Sequence, residues 1–252
     1  MPDTKLGIGL ATGMFFHATA GTNLPTYPGD VVGSNGDGTT TDKFTATAGQ
    51  TTFTLTESVN EVITITADGT AILKNNYSIT GTSLTYSGTS FTGGEKIEIK
   101  YYVSAWRNVG DVSADGITLT TDKTTENIRN WANVIKRVIM TEHTETIKSP
   151  IQDTTEETLK LIVGADNVNI TTATGSHGKF ITANLSDGEL PPSEAFLWLM
   201  KDGNDLMYVG CSEGQVSAVD NVSFAPGAAI VWTPTITAQG DGFIFATEES
   251  AS

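Results

Sequence analysis

From Phe44 to Val103 apolar and polar residues alternate almost without interruption, the period of two that marks half-buried strands. FTATAGQTTFTL sets Phe44, Phe53 and Leu55 at strand positions on either side of a glycine turn. NEVITITADGTAIL alternates Val62, Thr64 and Thr66 against Ile63 and Ile65, then turns at Asp68-Gly69, a strong hairpin dipeptide. NYSITGTSLTYSG turns at Gly81, and EKIEIKYYV alternates Ile97, Ile99 and Tyr101 with charged neighbours. Five or six short strands in about 60 residues predict a small all-β unit over 43–103, able to fold alone.

A second β-rich region follows Trp106. NWANVIKRVIMTEHTETIKSPIQD carries two interleaved runs, Val134, Lys136, Val138, Met140 and Ile135, Arg137, Ile139. Apolar residues on both faces predict a strand covered in part on each side. TTEETLKLIVG holds the chain's clear helix signal: Thr154 as N-cap, Glu157 closing a capping box, and Gly164 as the stop. The expected helix is about ten residues long and docks through Leu159, Ile162 and Val163. NVNITTATGSHGKFITAN reads as a loose hairpin, and EAFLWLMKDGNDLMYVGC as a tighter one turning through Asp202-Gly203-Asn204-Asp205. NVSFAPGAAIVWTPTITAQG supplies a last strand pair, after which DGFIFATEESAS trails off. Ahead of all this, residues 1–32 read as an extended arm of small residues, Gly and Pro, and 33–42 as a low-complexity linker. The fold class is therefore mainly β, with one short helix.

Composition sharpens what the chain can do. Its 252 residues carry 29 acids against 14 bases, a formal charge of −15, which argues against binding nucleic acid by phosphate neutralisation. A surface of the same sign as DNA lets DNA pass without sticking. One cysteine, Cys211, forms no internal disulfide and sits after an apolar strand pattern, where a small buried residue is expected rather than a nucleophile. No apolar run reaches the ~20 residues that span a bilayer, and the opening MPDTKLGIGLATGMFF lacks a signal-peptide layout. A soluble protein made in the cytoplasm is expected.

Candidate chemistry is thin, and no enzyme, cofactor or metal is expected. His17, His143 and His177 lack metal-ligand spacing, and His143 with Glu145 on one strand face reads as a solvated pair. SNGDGTTTD has the acids and glycines of a calcium loop without its alternating ligands or terminal glutamate. Phosphate-cradling loops and nucleophile elbows are missing. Four tryptophans, Trp106, Trp131, Trp198 and Trp232, could form a sugar platform, the feature behind an alternative reading as a glycan-binding or adhesive β-module such as a tail fibre. Each stands among apolar strand residues, so buried anchors are the expectation.

Three segments resemble the major tail, or tail tube, proteins of long-tailed non-contractile bacteriophages (siphophages). ATGMFFHATAGTNLPTYPGD is similar to the family's opening arm. WRNVGDVSADGIT is similar to its glycine-valine-serine phrase, with Asp111 where an aromatic is commoner. ETIKSPIQDTTEETLKLIVG is similar to its strand-to-helix segment, with Asp153 where Glu is usual. Together the likeness covers roughly 180 of 252 residues. In the family the arm runs almost directly into the glycine phrase, so the resemblance makes 43–103 an inserted small β-sandwich, on the tube exterior because the bore has no room for it, and 104–252 the tube core.

The resemblance further implies a β-sandwich or barrel core with one flanking helix, hexameric rings whose inner sheets join around an acidic channel, and ring stacking into a tube for DNA ejection. It implies a virion location in the phage tail after synthesis in the host cytoplasm. The implied partners are other copies of the chain, a tape measure protein, a tail terminator, a distal tail protein and passing double-stranded DNA, with no membrane. The assembly interface is expected at Leu24, Pro25, Gly110, Asp111, Val112, Asp115 and Gly116.

Overall fold

A computed structural model describes residues 12–171, 178–185, 190–202 and 205–248. His177 and the turn residues Gly203 and Asn204 lie outside the described residues. The chain divides into two compact units, Pro25–Asn108 and, formed from two stretches, Met1–Leu24 with Val109–Ser252.

Within the segment read as an extended arm, the first described element, β1 (Thr12–Thr19), is a sheet strand. Phe15, Phe16 and Ala18 are buried, and β1 lies in full register against a later strand. Small residues and a lack of long alternation hid a strand that is buried on both faces.

The 25–108 unit contains β2 (Thr39–Thr45), β3 (Thr52–Thr54), β4 (Glu61–Ala67), β5 (Thr70–Ala71), β6 (Tyr77–Thr80), β7 (Ser83–Tyr86) and β8 (Lys96–Tyr102). These form two sheets, ordered β2-β8-β4-β5 and β3-β7-β6. Phe53, Leu55, Leu84 and Phe91 meet Ile65, Ile97, Ile99 and Tyr101 in one core. Tyr101 donates its hydroxyl hydrogen to Asp42 Oδ2 at 2.9 Å, and the Thr56 N–H donates to the same oxygen at 2.9 Å, so this buried carboxylate is satisfied. The stretch expected as a linker is partly strand. β2 pairs with β8 from Thr39↔Tyr102 to Thr45↔Lys96, with Thr39 and Thr40 buried. Threonines bury readily once their hydroxyls are bonded; Thr39 and Thr41 Oγ1 accept from Asn35 Nδ2 at 3.0 and 2.8 Å.

The remaining unit takes in most of β9 (Arg107–Asp111), whose first two residues fall in the 25–108 unit, and adds β10 (Thr118–Arg129), β11 (Ile135–Lys148), α1 (Glu156–Val163), β12 (Val168–Thr171), β13 (Phe180–Ala183), β14 (Glu194–Asp202), β15 (Asp205–Val219), β16 (Pro234–Ala238) and β17 (Ile244–Glu248). Its main sheet has eight strands in the order β10-β11-β16-β15-β14-β1-β9, with β17 also paired to β15. The segment expected to trail off thus supplies β17, and NVSFAPGAAIVWTPTITAQG supplies one strand where a pair was expected. Phe15 stacks on Trp198 at 4.8 Å, and the Trp198 indole N–H donates to Ser149 Oγ at 2.9 Å. Around them Phe196, Ile147, Ile151, Leu161, Cys211 and Ile236 close the core. Cys211 is fully buried, and burial pushes its thiol up to about 12, as an inert packing residue requires.

The helix has eight residues, and its cap falls one residue later than the sequence suggests. Thr155 is the N-cap, its Oγ1 accepting from the Thr158 N–H at 3.1 Å, while the Thr158 hydroxyl oxygen accepts from the Thr155 N–H at 3.3 Å. Leu161 is the buried anchor; Leu159, Ile162 and Val163 are only half-buried. Thr154 instead accepts a hydrogen bond from the Trp232 indole at 2.9 Å.

Candidate assembly surfaces

The most unusual element is the β10–β11 hairpin. Its strands pair from Thr118↔Lys148 to Arg129↔Ile135, closed by a turn in which Asn133 adopts φ +60°. Only Thr146–Lys148 of β11 also pair with β16. Among the described residues the hairpin from Ile135 to Glu145 is therefore a two-stranded ribbon without further sheet support, reaching roughly 35 Å at strand rise. Every residue of β10 is exposed. Such a ribbon is marginally stable alone in water, so its persistence as a long strand pair asks for a partner surface.

The expectation that β11 is covered in part on each side is met at its base, where Ile147 is buried, and not towards the tip among the described residues. Val134, Ile135, Val138 and Met140 are exposed, as are Leu119 and Ile128 on β10. Trp131 at the tip is 105% exposed, whereas Trp106, Trp198 and Trp232 are buried as expected. Between residues 126 and 138 three bases, Arg129, Lys136 and Arg137, stand against one acid, Glu126, a local +2 on a chain of −15. An apolar, cationic tip thus projects from an acidic protein, a combination suited to docking on a surface of opposite charge.

The seven residues expected at an interface fall into two groups. Gly110 has φ +150°, and a Cβ there would lie 2.8 Å from Asp153 Cβ, so it serves close packing. Val112 donates its N–H to Gly13 O at 2.9 Å, Gly116 closes a turn by donating to Ser113 O at 2.9 Å, and Leu24 packs over Gly210. Pro25 is half-buried. Asp111 and Asp115 are exposed, although the Asp111 N–H donates to Asp153 Oδ2 at 2.9 Å. The hairpin tip was absent from that set; its signal was the run of apolar and basic residues around Trp131.

Strand edges form the second kind of surface. Among the described residues β10 ends the sheet at one side with its outer edge unpaired, and β9 ends it at the other. A 12-residue open edge is a template for another chain unless something covers it. The family model described as phage tail tube protein matches residues 80–242, well over half of the chain and including the whole hairpin. The chain belongs to the phage tail tube protein family. No curated protein matches it. Membership makes this a viral structural protein of the phage tail and gives the open edge and projecting ribbon a context, because a tube is built by repeated contact between copies.

Other polar clusters serve this tail tube protein's own fold. His17 lies between two carboxylates, Nδ1 at 2.7 Å from Glu194 Oε2 and Nε2 at 3.1 Å from Glu157 Oε2. Those contacts tie β1 and β14 to α1. Burial alone would lower the imidazole's pKa, but hydrogen bonds and charge from Glu157 and Glu194 prevail and raise it to about 9. The His143–Glu145 pair, 3.4 Å apart, sits on β11, where Glu145 Oε2 accepts from the Phe243 N–H at 2.8 Å. Among the described residues no group of His, Cys, Asp and Glu is arranged to hold a metal ion, and no helix is long and apolar enough to cross a membrane.

Proposed function

We propose that this tail tube protein assembles into closed hexameric rings that stack into a tube with an acidic channel, through which DNA passes during ejection. The observation that carries the reading is the β10–β11 ribbon, whose apolar residues and open edge find no partner among the described residues of one copy. Edge-to-edge pairing between copies removes the liability of β10, and the hairpin tip fits the acidic surface of another copy. Asp111 and Asp115 are candidates for that acidic surface. A charge of −15 per subunit keeps passing DNA from adhering to the wall. The tube ends meet a tape measure protein, a terminator and a distal tail protein, and the inserted 43–103 stretch lies outside the bore.

Electron microscopy and sedimentation of the purified chain test this. Wild-type protein is expected to form rings or tubes as concentration rises. Trp131→Glu places a charge on a fully exposed side chain, so it should leave the melting temperature unchanged while abolishing tubes. A wild-type protein that stays monomeric throughout, or tubes that survive Trp131→Glu, would defeat the reading.

A further inference from the structure

Two register shifts give the β10–β11 ribbon a one-sided chemistry. β10 pairs without interruption, but β11 carries an extra residue, Thr141, between the pairs Thr124↔Glu142 and Thr125↔Met140. A second, Lys136, falls between Ile128↔Arg137 and Arg129↔Ile135. Residues directly opposite in an antiparallel pair share a face, and each extra residue re-phases what lies beyond it. Strict alternation from Ile147 would put Val138 and Met140 on the opposite face. The first shift brings them onto the face of Ile147, and the second keeps Ile135 with them. From β10 the same face receives Leu119, Lys123 and Arg129. The other face pairs Thr120 with Thr146, Asp122 with Thr144 and Thr124 with Glu142, and only nearer the tip does it hold Ile128 and Ile139.

The apolar face begins inside the molecule. Ile147 is fully buried in the core, and Glu145, on the same face, accepts the Phe243 N–H at 2.8 Å while Phe243 packs on that core. Beyond Glu145 the face continues through Met140, Val138 and Ile135, which are 45–58% exposed. Resting on the tube reading above, we infer that this face is the seat for a second copy of the chain, laid flat against it, and that the threonine-and-acid face stays in water after assembly. A core face that runs past its own cover is completed by another apolar layer, as one sheet packs on another. Charge selects the partner. Lys123 and Arg129 are the cations of this face, and its one carboxylate, Glu145, is engaged by the Phe243 N–H and lies 3.4 Å from His143. The face therefore suits an acidic surface, which a chain of −15 offers. Nucleic acid is a poor fit, because the apolar side chains between these cations cannot pair with phosphate. Face-on seating leaves the outer edge of β10 available for pairing between copies.

Thiol labelling of the full chain tests this. The native Cys211 is fully buried with its thiol pushed up to about 12, so introduced thiols report alone. Val138→Cys and Thr124→Cys place a thiol on opposite faces of the same part of the ribbon. Both should react with maleimide at similar rates in the dilute, monomeric chain. Once tubes form, Val138→Cys should label about tenfold more slowly or less, while Thr124→Cys keeps its rate within about twofold. Val138→Asn should raise the concentration needed for assembly by about tenfold, and Thr124→Asn should not. Both positions are exposed, so both melting temperatures should stay at the wild-type value. Equal protection of the two thiols in tubes, or a Val138→Cys thiol that keeps its rate there, would overturn the face assignment and leave the tube reading standing. A wild-type chain that never assembles removes both. Protection of Val138→Cys by phosphatidylglycerol vesicles while the chain is monomeric would assign the face to lipid and overturn the inference as well.

Discussion

A single residue, His17, shows how far apart in sequence the parts of one structural device can lie. Glu157 and Glu194, its partners, are 140 and 177 positions away, so no spacing rule exposes the cluster. The pair of shifts sets a pH window. The imidazole's folded pKa of about 9 stands above its ordinary 6.5, so its contribution is complete below 6.5 and disappears as pH rises through about 9. For Glu157, burial alone would raise the pKa, but His17 and Lys160 outweigh it and hold the carboxyl down to about 2 from 4.5. Its contribution is present above 4.5 and is lost as pH falls towards 2. Thermal melts should therefore be flattest between pH 4.5 and 6.5 and should decline towards pH 9. The alkaline part is worth on the order of 3 kcal/mol, and His17→Gln should remove most of that slope. An unchanged slope in the variant would mean that other groups govern it. The tryptophans teach a related lesson. Alternation placed three of them in the interior but could not separate the fourth, because Trp131 sits in the same kind of apolar run.

Elements were legible where one chain supplies all their neighbours. The alternation across 43–103 marked β3, β4, β7 and β8, whose inward residues are the core of that unit. The β10–β11 ribbon was legible as strand but not as a projection. Apolar residues on both faces read alike whether the covering layer comes from the same chain or from another copy. At the helix the motif was correct and its register one residue off, since two adjacent threonines both qualify as caps and only tertiary contact separates them. Thr158 is the discriminating residue. Its hydroxyl lies 2.9 Å from both Val109 O and Asp153 O, and its backbone N–H meets the Thr155 cap. Thr158→Val keeps the volume and removes the hydroxyl from a fully buried position, so it should cost about 1–3 kcal/mol in urea melts. A change below the measurement error would show that these carbonyls find other donors.

At the scale of the whole molecule, two compact units on one chain predict separable behaviour. Joining Leu24 to Val109 through a short glycine linker, with 25–108 removed, should leave tube formation intact if that unit stands outside the bore. Complete loss of assembly by a folded deletion variant would instead make the unit a bridge between rings. Charge gives the sharper test, because two opposed effects must be ranked by distance. Subunits of −15 repel one another over the whole interface, whereas the +2 tip is attracted only at contact. The Debye length shrinks from about 30 Å at 0.01 M salt to about 8 Å at 0.15 M. Salt in that range therefore removes the long-range repulsion between subunits while largely sparing contacts within a few ångströms. Raising salt from 0.01 to 0.15 M should promote assembly of the wild-type chain, measured by light scattering at fixed concentration. Reversing the tip with Lys136→Glu and Arg137→Glu converts its local +2 to −2, turning contact attraction into repulsion. That variant should assemble less than wild type at every salt concentration, with the gap narrowing as salt rises. If wild-type assembly instead falls steadily with salt, contact attraction outweighs net repulsion even at long range, and the acidic body cannot be what limits ring closure.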